Sequence, residues 1–137
     1  MKILIISEFF PRGEDLRFSG GVEARTYFVS KYIAKNHEIH VITTKLPGTK
    51  DLEIINKINV HRVGPTKNYR AGADLSEIFS LIKFIKSAIK KGQELKPNIV
   101  EGTNFITHFI AKRISSKNHI PLVFWYPDVF IGNWMKT

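Results

Sequence analysis

The chain has 137 residues, 43% of them hydrophobic and 24% charged, enough for one domain with a real core and too few for two full ones. It contains no cysteine, which excludes disulfides, thiolate nucleophiles and zinc ribbons, and no apolar run approaches the ~20 residues of a membrane span. Lysine and arginine number 21 against 12 acidic residues, a formal charge of +9 that suits anionic partners as well as a merely solvated lysine-rich surface.

Lys2–Ser7 is aliphatic between polar ends and predicts a strand buried on both faces, as in a parallel sheet. Its "KILII" core is too short for a signal h-region and no small-residue cleavage site follows, which points to the cytoplasm. Val22–Lys35 carries Val22, Tyr27, Phe28, Ile33 and Ala34 at roughly helical spacing, with Asn36 placed to end the helix in a left-handed conformation. His37–Thr44 predicts a second strand with Ile39, Val41 and Thr43 on one face; "LPGTKD" is turn chemistry, and Ile58–Val63 predicts a third strand. Asp74–Leu95 is the clearest helix. Leu75, Ile78, Ile82, Ile85 and Ile89 form one stripe, Lys83, Lys86, Lys90 and Lys91 lie on other faces, and Pro97 closes it. A fourth strand starts at Asn98, a helix spans Phe105–Ser116, and a fifth strand starts at Ile120.

Strands alternating with helices imply βαβ units, and so a single Rossmann-like α/β domain over 1–137: a three-layer αβα sandwich around a mostly parallel sheet. Ligands in such folds sit outside the carboxyl ends of the strands. That rule selects Ser7–Gly21, Thr43–Pro47, Glu101–Asn104 and Trp125–Asp128. The first of these is the unusual one. A strand-to-helix connection commonly needs only ~2–6 residues, yet this one runs on to a glycine pair, Gly20-Gly21, at the helix start. Two readings are open. A bare helix N-terminus without a Cβ can cradle a phosphate, or the glycines serve a tight turn or close helix–strand packing. Glu23 in the first turn complements the helix dipole itself. No G-x-G-x-x-G follows the first strand and no acidic residue ends the second, which argues against a dinucleotide fold; no Walker motif is present either.

Taken as an ordered set, "MKILIISEFFP", "GGVEARTYFVSKYIAKNHEIHVITT", "INVHRV", "KPNIVEGTNF" and "IPLVFWYPDVF" resemble the amino-terminal domain of the GT-B glycosyltransferases. The nearest pattern is that of the retaining family that includes sucrose synthases, bacterial mannosyltransferases and many cell-envelope enzymes. The resemblance implies a cleft between two Rossmann-like domains. The carboxy-terminal one holds most of a nucleotide-diphosphosugar donor; the amino-terminal one binds a hydroxyl acceptor, lipid-linked in many relatives, and lends its glycine loop to the donor phosphates. It implies no cofactor. Gly20 and Gly21 then meet the donor phosphate, Arg12 assists from the loop, Glu101, Thr103 and Asn104 line the cleft, and Asp128 is the candidate catalytic residue. Three positions depart from the family pattern. Arg25 stands where a histidine is common, Glu101-Gly102-Thr103 replaces a histidine-rich strand end, and Pro127-Asp128 replaces a His-Asp pair. The donor domain and its paired-glutamate motif are not in the 137 residues, so the chain by itself is expected to be inactive, with Phe130, Ile131 and Trp134 forming an apolar segment that suits another copy.

The remaining signals are weaker. His37, His40, His61, His108 and His119 show no metal-ligand spacing, and no metal is expected. Arg17 shares the first loop with Arg12. The lysines of the long helix, with Lys96 beyond it, make a basic strip that suits either plain solvation or contact with the inner face of a membrane. The rival to the transferase reading is a stand-alone basic α/β module for nucleic acid or an anionic surface; the basic residues are not interleaved with aromatic platforms, which weighs against it.

Overall fold

The computed structural model describes residues 1–13, 16–67 and 75–127. Asp74, Asp128, Phe130, Ile131 and Trp134 lie outside them. In chain order the elements are β1 (Lys2–Ile6), α1 (Gly21–Ile33), β2 (Glu38–Lys45), β3 (Leu52–Ile55), β4 (Ile58–Thr66), α2 (Leu75–Leu95), β5 (Ile99–Gly102), α3 (Phe105–Asn118) and β6 (Leu122–Phe124). They build one sheet in the order β3-β4-β2-β1-β5-β6, parallel throughout except for the β3–β4 pair. β1 is central, with Ile3, Ile5 and Ile6 in register with Ile39, Val41 and Ile42 of β2 on one side and with Ile99, Glu101 and Gly102 of β5 on the other. A central parallel strand has no solvent face, which explains why its sequence does not alternate.

The two faces of the sheet carry separate cores. Ile5, Ile39, Val41, Ile58 and Val60 pack under α1 with Tyr27 and the loop residue Phe10. Leu4, Ile6, Ile42 and Val100 pack under α2 and α3 with Phe84, Ala88, Ile110, Ala111 and Ile114. Each fully buried aliphatic side chain contributes about 1.5–3 kcal/mol.

Several local expectations are corrected. β3 arises in a stretch, Leu52–Ile55, for which no element was predicted, just after the expected turn. Asn56 and Lys57 both adopt positive φ (49° and 68°), as a two-residue hairpin turn requires, but lysine lacks the usual turn signature. Asn56 donates to the Tyr27 hydroxyl at 2.7 Å, tying the hairpin to α1. Helix α1 ends at Ile33 with a right-handed cap at Ala34, so Asn36 is not its left-handed terminator. In α2 the buried face on the sheet is Phe84, Ala88 and Gly92; of the isoleucine stripe only Ile85 and Ile89 pack, partly buried, against that core. Gly92 and Ala88 lower the helix onto Leu4 and Ile114, and Leu75, Ile78 and Ile82 are left exposed.

His40 and His61, which show no metal-ligand spacing in the sequence, form a hydrogen-bonded chain with a carboxylate. His40 Nε2 lies 2.7 Å from Glu38 Oε1 and His40 Nδ1 lies 2.8 Å from His61 Nε2. Glu38 accepts only, so His40 donates through Nε2 and accepts from His61 Nε2–H. Burial first, then His40 and Lys91, hold the His61 pKa down at about 4. The fold thus keeps His61 neutral, while the unfolded chain protonates it below roughly 6.5. Stability from this source is complete above that pH and falls as pH drops toward 4, because the unfolded state then binds more protons. The urea midpoint is expected to decline across this window, and less steeply in His61→Gln; parallel slopes for the two proteins would refute the assignment.

Candidate functional site

The carboxyl ends of β1, β2, β5 and β6 open on one edge of the sheet, and the starts of α1 and α3 lie there too. The connection after β1 is held from below. Ser7 N–H continues the β1–β2 ladder to Ile42 O at 3.0 Å. The Glu8 carbonyl accepts from the hydroxyls of Thr43 (3.1 Å) and Thr44 (2.6 Å), and its carboxylate pairs with Lys67 at 2.7 Å. Beyond it, fully buried Arg62 of β4 reaches across to the carbonyls of Phe10 (3.4 Å) and Pro11 (2.6 Å), with Glu53 as its counter-ion at 2.6 Å. Phe18 stacks on Tyr27 and Phe28, with ring centroids 5.7 and 5.6 Å apart, returning the chain to the start of α1.

There the glycine pair is bare. Gly20 is extended and no side chain caps the helix at it. A Cβ built on Gly20 or Gly21 meets nothing within 4 Å, so close packing is not the reason for glycine at either position. Buried Glu23 turns back to accept from the Ser19 N–H at 2.6 Å, one residue before the cap. Among the described residues no hydrogen bond occupies the N–H groups of Gly21 and Val22, which carry the positive end of the helix dipole. Arg12 and Arg17 are exposed in the preceding loop.

Facing this helix start, the end of β5 carries Glu101, whose carboxylate forms an ion pair with the Arg25 guanidinium. The guanidinium carbon lies 4.5 Å from the centre of the Trp125 ring, just after β6. Arg25 and Glu101 are the two charged departures from the family pattern. Each looked like a lost histidine alone; together they compensate, an opposite-charge pairing from α1 to β5 that no local signal announces. Thr103 is a correction. It is fully buried, donating from its N–H and hydroxyl to Ile6 O (3.2 and 3.1 Å), so it fastens β5 to β1 and does not line the opening. Asn104 caps α3 reciprocally with Thr107, and its side chain is half-buried at the rim. Buried His108 lies 3.0 Å through Nε2 from the Trp125 carbonyl, donating to it, and its ring packs between Phe124 and Tyr126. The sequence argues against His108 as a metal ligand and carries no sign of this role, because its partner lies 17 residues further on, just after β6. Asp128 lies outside the described residues. Among the described residues no group of His, Asp and Glu could hold a metal.

The family model of Glycosyltransferase Family 4 matches residues 19–131, from just before the glycine pair to just past β6. The chain belongs to Glycosyltransferase Family 4. Solved structures share the fold. The sucrose-phosphate synthase from Thermosynechococcus elongatus superposes with a TM-score of 0.68 at 13% identity, over 97% of this chain and 34% of that one. A second structure of that synthase superposes with a TM-score of 0.63 at 15% identity, over 93% of this chain and 64% of that one. The chain therefore spans about a third of the first and under two thirds of the second, and at such identities the likeness is one of fold. No curated protein matches the chain. Among the described residues no helix is long and apolar enough to cross a membrane.

Proposed function

We propose that this Family 4 chain is the acceptor-side half of a glycosyltransferase that moves a sugar from a nucleotide-diphosphosugar to a hydroxyl acceptor. The observation that carries the reading is the uncapped, open start of α1 at Gly20-Gly21, at the same edge of the sheet as the Arg25–Glu101 pair and Asn104. Backbone N–H groups at a helix start hold an anion without a side chain that must be ordered first. Developing diphosphate charge on the departing nucleotide would be stabilised there, as preorganised dipoles stabilise charge in other transfer reactions. Arg12 supplies an exposed positive charge from the loop, Glu101 and Asn104 hold acceptor hydroxyls, and Asp128 is the candidate acid or base. Donor binding is completed by a second domain, and the 137 residues by themselves are expected not to turn over. Lipid-linked hydroxyls belong to the acceptor class this edge admits, and the segment with Phe130, Ile131 and Trp134 is a candidate self-association surface.

The glycine pair gives a clean test. An added Cβ at Gly21 points into open space, and alanine is the better helix former, so Gly21→Ala should fold with an unchanged or slightly higher Tm. It should nonetheless weaken binding of nucleoside diphosphates about tenfold, a loss of about 1.4 kcal/mol. Calorimetric titration of UDP and GDP into wild type and variant measures this. Equal affinity in both, with Tm maintained, would remove the phosphate role.

A further inference from the structure

Where α2 crosses β4 the two elements enclose a cavity of about 540 Å³, within the roughly 300–1,000 Å³ usual for small-molecule sites. Helix α2 supplies Ser87, Lys90, Lys91 and Glu94, spaced i, i+3, i+4 and i+7 and therefore on one facet. The other wall has His61 of β4, Asp51 just before β3, and Lys45 at the end of β2. Gly64 brings helix and strand into backbone contact beside the cavity. Its φ is +81°, and an added Cβ would stand 2.9 Å from the Phe84 Cα.

The polar groups here are of two kinds. Lys91 is paired with Glu94 at 2.9 Å and Lys45 with Asp51. The Arg62 guanidinium is taken by Glu53 and the loop carbonyls. Lys90 has no ion pair among the described residues, so one cation of the lining is left unneutralised. The rest can accept hydrogen bonds. Each carboxylate keeps lone pairs after binding one lysine, and the Ser87 hydroxyl has no partner among the described residues. His61 is the informative one. Neutral imidazole has one N–H, and His61 commits it at Nε2 to His40, which in turn donates to Glu38. The relay therefore fixes a lone pair on His61 Nδ1. Neither that nitrogen nor the Ser87 oxygen is sealed from solvent.

One free cation among several acceptors selects a ligand with one anionic group and several hydroxyls. A bare anion would meet two carboxylates with no proton to offer them, and an uncharged polyol would leave Lys90 without a counter-charge. We propose that this cavity binds a phosphate ester of a polyol, with the phosphate on Lys90 and Ser87 and a hydroxyl donating to His61 Nδ1. Lys90 and Ser87 are one helical turn apart, so a single tetrahedral phosphate can bridge them. The site is separate from the opening at Gly20-Gly21. That glycine pair starts α1 on one side of the sheet, and this cavity lies under α2 on the other.

The test is calorimetric titration of the full chain with sorbitol phosphate, and separately with inorganic phosphate and with sorbitol. Sorbitol phosphate is expected to bind at least about tenfold more tightly than either part, because only it fills both kinds of group. Lys90 is exposed and Ser87 half-buried, so Lys90→Ala and Ser87→Ala should both keep the wild-type Tm. Lys90→Ala should weaken binding about tenfold, the loss of one charge-assisted hydrogen bond. Lys31→Ala, an equal loss of charge on α1, should change it less than about twofold. The nitrogen NMR signal of His61 Nδ1 should move upfield when sorbitol phosphate is added, as its lone pair accepts a hydrogen bond. Inorganic phosphate binding as tightly as sorbitol phosphate, equal loss in Lys90→Ala and Lys31→Ala, or an unmoved Nδ1 signal would overturn the proposal. Gly21→Ala should bind sorbitol phosphate as wild type does; a loss there would put the ligand at the glycine pair and overturn it equally. UDP binding is read in the same preparations, so failure with sorbitol phosphate and intact UDP binding removes this cavity and leaves the transferase reading standing.

Discussion

Arg62→Ala is expected to lower the stability of the domain by about 3–5 kcal/mol. The guanidinium is wholly out of solvent and has a carboxylate and two carbonyls around it: Glu53 at 2.6 Å, Pro11 O at 2.6 Å and Phe10 O at 3.4 Å. Alanine leaves the largely buried Glu53 without its counter-ion and the two carbonyls without a donor, and it opens a cavity beside Phe10 and the inner face of β4. A loss of that size shifts the midpoint of thermal unfolding down by roughly 10–20 °C in a domain of this length. Urea denaturation of wild type and variant measures it directly, and a cost below about 1 kcal/mol would refute the account. The paired change Arg62→Met/Glu53→Met separates charge from volume. Apolar residues of similar size replace buried ion pairs at little cost, so the double variant should recover most of the loss. It should not recover nucleotide affinity, because Arg62 is also the tether that holds Phe10 and Pro11, and with them the run of chain up to Gly20, against the sheet.

Gly102→Val is expected to be the other severe change. A Cβ at Gly102 would stand 2.9 Å from the His108 Cα, 2.9 Å from its Cδ2 and 2.9 Å from the Thr107 carbonyl oxygen. Two of those atoms are backbone of α3, so no side-chain rotation relieves the contact and the helix must move off β5. Overpacking of this kind costs about 1–3 kcal/mol, and the β-branched side chain belongs at the upper end of that range. The functional consequence follows from what is attached. The start of α3 carries Asn104, and His108 donates to the carbonyl of Trp125, whose ring covers Arg25. Displacing the helix therefore disorders the acceptor side of the opening while leaving Gly20 and Gly21 on α1 in place. Nucleoside diphosphate binding should survive better than in Gly21→Ala, and thermal stability should suffer more. The reverse ordering of the two variants would mean that the two sides of the opening are not independent.

The glycine pair at the start of α1 was legible as a candidate anion site because its signal is local: a long connection, two residues without Cβ, and a helical pattern immediately after. The strand cores were legible for the same reason. Thr103 misled because a polar residue at the end of a parallel strand has two possible directions, into the opening or back to the neighbouring strand, and only the position of Ile6 O settles which. The α2 stripe misled because periodicity reports that a helix has an apolar flank, not that the flank is the one against the sheet. Phe84, Ala88 and Gly92 took the inner position through a close approach of helix to strand, which small residues permit and hydrophobicity does not reveal.

What the amino-acid sequence determined by itself was the alternation of strands and helices, the parallel sheet, and the edge of it on which a ligand would sit, since each follows from the order of short-range patterns along the chain. What only the tertiary structure decided was the pairing of residues far apart: Arg25 with Glu101, Arg62 with the loop carbonyls, His40 with His61, and α2 with α3 across a shared groove. The physical reason is the same in every case. The energy of a buried charge or an exposed apolar group depends on what stands opposite it, and that is a property of the packed layers, not of any window of sequence.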